Sequence, residues 1–153
     1  MKRHHALVTS LVIAALGFAV PAGTASAETV ELHNSGGYYG YQFLVASSGL
    51  TLYTFSKDKG STKKKTTERC QRIKGCPENW PPLIVTEAPT AGEGVNPMLL
   101  STITLKNGEK QVTYAGRALY TNLGEAPFEV YYFGTKEFKG KWYGLTATGA
   151  MIK

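Results

Sequence analysis

The frame V-x-x-x-G-x-x-L-Y-T occurs twice in this chain of 153 residues. The first copy runs from Val45 to Thr54, and the second runs from Val112 to Thr121, 67 residues later. Identical spacing at every matched position indicates an internal duplication. The sequence therefore predicts two related units, at about 41–85 and 99–148, within one domain that spans 41–153.

Short segments with strand-like composition dominate both predicted units, and no segment has a long apolar stripe with the helical period. In the first unit, the turn residues at 46–49 lie between two such segments and predict a hairpin. In the second unit, Asn107-Gly108 lies between two such segments and favours a hairpin with a type I′ turn. We therefore expect a mainly β fold, in which two related antiparallel hairpin or meander half-units form one sheet-rich or barrel-like domain. The predicted strands are Tyr41–Val45, Leu50–Phe55, Leu83–Val85, Leu99–Leu105, Lys110–Tyr114, Ala118–Thr121 and Phe128–Phe133.

The first 27 residues have the pattern of a secretory signal peptide. Met1–His5 is basic, Ala6–Val20 is mostly apolar, and Ala25–Ala27 fits a signal-peptidase site. The apolar run is too short for a membrane span. We expect cleavage near Ala27, secretion and no transmembrane segment in the remaining chain, which is long enough for a buried core.

Three further segments carry weak signals of regular structure. Residues 28–40 are expected to form a flexible leader, and 86–97 are rich in proline and glycine and predict a linker between the two units. Lys57–Glu78 is polar and basic and predicts a long loop. Within this loop, Cys70 and Cys76 predict one disulfide in an exported protein, because a thiol-redox pair would favour C-x-x-C spacing.

These motifs also resemble a known family. G-x-T-L-Y-x-F-x-x-D at Gly49–Asp58, two cysteines and then Trp80-Pro81-Pro82-Leu83 are similar to the bacterial secreted repeat of unknown function family, also described as predicted lipoproteins with a Y-x-[FWY]-x-x-D motif. Gln111–Tyr120 resembles its Q-x-T-Y-x-G-x-P-L-Y stretch. The resemblance implies an extracytoplasmic location and a fold type, but no established activity.

Three departures from the family pattern bear on that resemblance. Five residues separate Cys70 from Cys76, where about three are expected. The second copy has lost the aromatic residue after Tyr120, and its acidic residue is Glu125 instead of Asp. No cysteine lies at the end of the export signal, so we expect no lipid anchor.

Positive charge is concentrated in one part of the chain. Between Ser56 and Gly75 the sequence has eight basic residues and only two acidic residues, Asp58 and Glu68. This segment is either a solvated loop or a docking surface for a polyanion, whose binding would weaken as salt rises. The residues that could bind a polyanion are Lys63, Lys64, Lys65, Arg69, Arg72 and Lys74, beside Lys57 and Lys59.

The sequence offers little support for catalysis or for a bound cofactor. After residue 27 it has one histidine, His33, and one aspartate, Asp58, so a Ser-His-Asp triad would have to use both. A zinc site would need the cysteines of the expected disulfide, and no haem-attachment or phosphate-loop motif is present. A pair of glutamates acting in glycoside hydrolysis stays open but has no specific signal. We expect no catalytic residues, no metal and no cofactor.

The repeated motif has two interpretations. Tyr53 and Phe55 could pack in the core while Asp58 braces the basic loop by accepting backbone N–H groups, or the tyrosine hydroxyl and the carboxylate could line a pocket. Tyr120 is the corresponding tyrosine of the second copy. Trp80 and Trp142, which are expected at equivalent places in the two copies, could pack in the core or stack on sugars.

These observations together favour a secreted, non-enzymatic binding or envelope-associated protein. Its expected partner is an anionic cell-surface polymer or an envelope protein, and nucleic acid is not the expected partner. The alternative is an extracytoplasmic redox or electron-transfer protein, or an enzyme.

Overall fold

The computed structural model describes residues 27–34, 40, 42–60 and 67–153. Most regular structure in these residues is strand, and the strands form three sheets. The predicted sheet-rich, mainly β fold is thereby confirmed, although the described strands do not close into a barrel. The strands are β1 (Thr29–Asn34), β2 (Gln42–Ala46), β3 (Tyr53–Phe55), β4 (Ile84–Val85), β5 (Thr90–Ala91), β6 (Leu100–Thr104), β7 (Lys110–Tyr114), β8 (Arg117–Ala118), β9 (Lys136–Glu137), β10 (Gly140–Leu145) and β11 (Met151–Ile152).

The first sheet has the strand order β2-β1-β5. β1 pairs antiparallel with β2, so that Val30 lies opposite Ala46, and β5 pairs parallel with β1. This sheet corrects two expectations, because β1 lies in the predicted flexible leader and β5 in the predicted linker. Val30 and Leu32 alternate along β1 and face the core. The sequence did not indicate a strand here, because two apolar residues among polar ones are a weak signal. Residues 35–39 of the expected leader lie outside the described part.

The second sheet has the order β11-β10-β3, with β9 paired to the outer part of β10. Phe55 of β3 lies opposite Trp142 of β10. The predicted hairpin between the segments that hold β2 and β3 forms only near its turn, where Val45 and Thr51 make an isolated bridge. Beyond that point β3 pairs with β10, almost ninety residues away in sequence.

The third sheet has the order β4-β7-β6, with β8 also paired to β7. The β6–β7 hairpin at Asn107-Gly108 is present, but its predicted turn type is wrong, because only Gly108 has a positive φ of 89°. Gly108 N–H donates to the Leu105 carbonyl and Leu105 N–H to the Glu109 carbonyl. A turn with two positive φ values occurs instead between β7 and β8, at Ala115 (48°) and Gly116 (72°).

Two further expectations differ from the structure. The predicted long loop Lys57–Glu78 contains a 3-10 helix, Cys70–Arg72, and a one-turn α-helix, α1 (Cys76–Asn79). The predicted disulfide Cys70–Cys76 is confirmed and joins these two short helices. The predicted strand at Phe128–Phe133 is wrong, since this segment is irregular and Phe128 has a φ of 66°. A second 3-10 helix, Pro97–Leu99, precedes β6.

The core has an aliphatic part and an aromatic part. The aliphatic part joins the first and third sheets through residues such as Val30, Leu52, Val112 and Leu119. The aromatic cluster consists of Tyr53, Phe55, Trp80, Tyr120 and Trp142, packed with the disulfide. Within it the two indole rings stack with centroids 3.8 Å apart and planes 6° from parallel. This rigid cluster lies beneath the segments that carry the candidate site.

Candidate functional site

The two tyrosines of the repeated frame lie opposite each other, and each hydroxyl binds a carboxyl group from the segment of the other tyrosine. Tyr53 and Tyr120 are joined by two backbone hydrogen bonds, of 2.8 and 3.0 Å. The Tyr53 hydroxyl donates to Glu125, five residues after Tyr120, and the Tyr120 hydroxyl donates to Asp58, five residues after Tyr53, at 2.8 Å. All four side chains are buried. Each of the two segments therefore supplies the carboxyl group that binds the other segment's tyrosine.

The indole rings follow the same arrangement. Trp80 contacts Tyr53 edge-on, with ring centroids 5.1 Å apart, and Trp142 contacts Tyr120 edge-on at 5.4 Å. Both tryptophans are 0% exposed, which excludes them as an open platform for sugar stacking. The sequence analysis missed the role of Glu125, although its position, five residues after Tyr120, matches that of Asp58 after Tyr53.

Burial controls the ionisation of these groups. It raises the pKa of Asp58 to about 7, although hydrogen bonds from the Tyr120 hydroxyl and from the Arg69 N–H act in the opposite direction. Burial also raises the pKa of Glu125, and the hydrogen bond from Tyr53 again opposes this shift. The hydroxyl pKa values of Tyr53 and Tyr120 are raised by burial and by the adjacent carboxyl groups. Both hydroxyl groups therefore keep their protons at neutral pH and remain available as hydrogen-bond donors.

Asp58 has a second task beside its bond to Tyr120. Its other carboxyl oxygen accepts the Arg69 backbone N–H at 2.5 Å, immediately before the disulfide-bonded Cys70. At the base of the loop, Lys59 N–H donates to the Thr67 hydroxyl at 2.7 Å and Thr67 N–H to the Lys59 carbonyl at 2.6 Å. The loop is thus fastened at both of its described ends.

Neither the candidate catalytic triad nor a metal-binding group is assembled by the described residues. His33 packs against Phe43 and Phe128, whereas Asp58 bonds to Tyr120 and Arg69, so the structure gives the two proposed triad members different neighbours. The part of the chain that the structure describes has no group of three histidine, cysteine, aspartate or glutamate side chains that could hold a metal ion. Among the same residues, no helix is long and apolar enough to cross a membrane.

Four of the described basic residues of the loop, Lys57, Lys59, Arg69 and Arg72, line an open cleft. Arg72 is exposed and pairs with Glu68 at 2.9 Å, and Lys74 is exposed in the turn between the 3-10 helix and α1. Lys63, Lys64 and Lys65 lie outside the described residues. The cleft is lined by Ser56, Lys57, Lys59, Arg69, Arg72 and Ile73.

A second group of lysines, which was not predicted from the sequence, lies on the other side of Ser56. Lys141 lies on β10, and its N–H donates to the Ser56 hydroxyl at 2.7 Å while its carbonyl accepts the Ser56 N–H at 2.8 Å. Ser56 consequently lines a second open cleft together with the residues at the β9–β10 turn. The second cleft contains Lys136, Lys139 and Lys141, all of which are exposed.

A third cleft shares Arg72 with the first cleft and adds the positive charge of Lys106 to the same surface. It contains Arg72 and Lys106 together with Gln71, whose buried side-chain nitrogen has no hydrogen-bond partner among the described residues. We call the combined surface the basic surface. It consists of eight side chains, Lys57, Lys59, Arg69, Arg72, Lys106, Lys136, Lys139 and Lys141.

Two carboxyl groups accompany these eight cations, and both already have partners. Glu68 is paired with Arg72, and Glu137 accepts the Trp80 indole N–H at 2.7 Å. The lysines near β10 could not be assigned to this surface from the sequence, since only the pairing of β3 with β10 brings them beside Ser56.

No protein-family model matches the chain, and no curated protein and no solved structure is similar to it.

Proposed function

We propose that this is a secreted, non-enzymatic binding protein whose basic surface docks a linear anionic polymer of the cell surface. The observation that carries the proposal is that eight exposed cations from distant segments lie together, whereas the described residues lining the same clefts include only two carboxyl groups, each already engaged. Such a surface attracts a polyanion and releases counterions when it binds one.

The way in which the loop is held supports the same function. The disulfide, the Asp58–Arg69 hydrogen bond and the bonds between Lys59 and Thr67 hold the described parts of the loop before any ligand binds. Less conformational entropy is then lost on binding than in an unrestrained basic tail. The buried phenol–carboxyl pairs act in this proposal as structural fasteners of the surface and not as a pocket.

Export is part of the proposal. The N-terminal pattern of a signal peptide and a disulfide between buried cysteines both favour an oxidising, extracytoplasmic location. The resemblance to the secreted repeat family supports the same location. An electron-transfer role has less support, because both sulfur atoms are enclosed in the aromatic cluster and have no open thiol-exchange face.

Binding of inorganic polyphosphate, measured by calorimetry over a series of salt concentrations, tests the proposal. Lys57→Gln/Lys59→Gln removes two charges from the basic surface, and Arg117→Gln/Lys153→Gln is the control with the same net charge. We expect the first variant to bind several-fold more weakly and to lower the slope of log K against log salt by roughly 1.5, following the dependence of about 0.7 to 0.9 per contact.

Two results would contradict the proposal. Equal losses in both double variants would mean that only net charge matters, and no binding by the unaltered protein would remove the ligand class altogether. Lys63→Gln/Lys64→Gln/Lys65→Gln extends the same test to the adjacent segment of the loop.

A further inference from the structure

The turn between β9 and β10 has an unusual backbone. Phe138 and Lys139 form a two-residue hairpin turn in which both residues have positive φ values, 51° and 60°. These positions favour Asn-Gly or Gly-Gly, because a side chain on either residue crowds the backbone there. Neither residue of this turn is glycine or asparagine, so the turn is strained at both positions.

The surrounding structure holds this turn in place. The Phe138 ring packs onto the aromatic cluster, and its edge lies 3.7 Å from where a Cβ on Gly75 would stand. Gly140, the first residue after the turn, lies directly under Phe55, with no room for a side chain. On the other side, Glu137 accepts the Trp80 indole N–H at 2.7 Å. The packing of the Phe138 ring therefore explains why a residue other than glycine has a positive φ at this position.

Lys139 has no such structural reason. Its side chain is exposed, and glycine at this position would give the same turn with less strain. What lysine adds is an ammonium group at the tip of the hairpin, between the exposed Lys136 and Lys141 and facing the same cleft as Ser56. Strain retained for an exposed charged side chain indicates that the side chain itself is used.

We propose that the β9–β10 turn is a second anion-binding element, in which Lys136, Lys139 and Lys141 contact a linear phosphate polymer that crosses the chain at Ser56. This inference rests on the proposed function, since the turn supplies the other half of the basic surface. The polymer reaches the turn from the loop cleft, because Ser56 lines both clefts.

The composition of the surface fits a phosphate polymer. Six of its eight cations are lysines, which bind phosphate as point charges, and its two arginines can bind phosphate through two parallel hydrogen bonds. The one aromatic residue among the described lining residues of the two clefts that meet at Ser56 is Phe138, which is partly buried and packs against the aromatic cluster. The two clefts therefore offer cations in greater number than ring faces on which a nucleobase or a sugar ring could stack.

Lys139→Gly separates strain from binding, since it relieves the turn and removes the ammonium group. We expect a higher melting temperature together with roughly fivefold weaker binding of inorganic polyphosphate, which is the size of one exposed ion pair. Lys139→Arg keeps the charge and is expected to bind as the unaltered protein does. A Lys139→Gly protein that melts at a higher temperature and binds polyphosphate as before would overturn the inference. Its melting transition shows at the same time that the variant is folded.

A comparison with the Lys57→Gln/Lys59→Gln variant distinguishes the two proposals. Weaker binding in both variants supports both proposals. Loss only in the loop variant overturns the role of the turn and leaves the proposed function intact, whereas loss only in Lys139→Gly supports the role of the turn and removes Lys57 and Lys59 from the binding surface. No loss in either variant overturns both. Dextran sulfate bound as tightly as polyphosphate would overturn the assignment to phosphate.

Discussion

At the scale of single residues, Asp58 links the core to the basic loop. Its carboxyl group is bonded to Tyr120 on one side and to the Arg69 backbone on the other, and burial raises its pKa from 3.8 to about 7. The folded protein thus holds this proton over a pH range in which the unfolded chain has already lost it. Between those two pKa values, the free energy of unfolding decreases as pH rises.

This linkage predicts greater stability under mildly acidic conditions. Lowering the pH from about 7.5 to about 5.5 should raise the free energy of unfolding by about 2 kcal/mol through Asp58. Urea denaturation at a series of pH values measures the change. Asp58→Asn should flatten most of this pH dependence, and Glu125→Gln, the matched variant at the other pair, should remove a further part because burial raises that pKa as well. Equal stability at both pH values would contradict the prediction.

The sequence identified these residues but not their partners. The repeated frame pointed to Tyr53, Tyr120 and Asp58, because spacing within one segment is visible in a sequence. The hydrogen bond from each tyrosine to the carboxyl group of the other segment could not be predicted, since it depends on the backbone bridge between Tyr53 and Tyr120. Glu125 was interpreted as a departure from the motif, although it retains the same function as a hydrogen-bond acceptor.

At the scale of elements, sequence reasoning succeeded where pairing is local. The β6–β7 hairpin is signalled by Asn107-Gly108, and the disulfide by two nearby cysteines. It failed where pairing is distant. β1 and β5 were assigned to a leader and a linker, and the partner of β3 was sought in β2 when it is β10. Short strands carry too little alternation to reveal such partners, because their stability depends on tertiary contacts.

The disulfide is the element whose removal has the most predictable effect. It closes a loop of seven residues from Cys70 to Cys76, and in Cys70→Ser/Cys76→Ser we expect unfolding to require about 2.4 kcal/mol less free energy on the chain-entropy estimate. Denaturation in urea measures the loss. Since the bridge also holds the loop, polyphosphate binding should weaken while the slope of log K against log salt stays the same. A changed slope would mean that the cations themselves had moved away.

At the scale of the whole molecule, the two predicted copies depend on each other. Residues 28–93 contain β3, Asp58 and Trp80, whereas 94–153 contain β10, Tyr120 and Trp142. β3 pairs with β10, β4 pairs with β7, and each tyrosine bonds to a carboxyl group of the other part. The internal duplication stays a prediction, but the dependence can be tested, because neither part alone can complete the second sheet, the third sheet or the phenol–carboxyl hydrogen bonds.

We therefore predict that fragments 28–93 and 94–153 each lack a cooperative unfolding transition and that an equimolar mixture regains one. The chain is divided here between exposed residues that follow β5, which leaves the first sheet whole. The stacked indoles supply the measurement, since Trp80 and Trp142 lie in different fragments and give an exciton-coupled circular dichroism signal only when their rings meet at 3.8 Å. A fragment that carries Trp80→Phe should assemble without this signal. Cooperative unfolding of either fragment alone would show that the copies are independent units and that the exchanged phenol–carboxyl bonds do not hold the domain together.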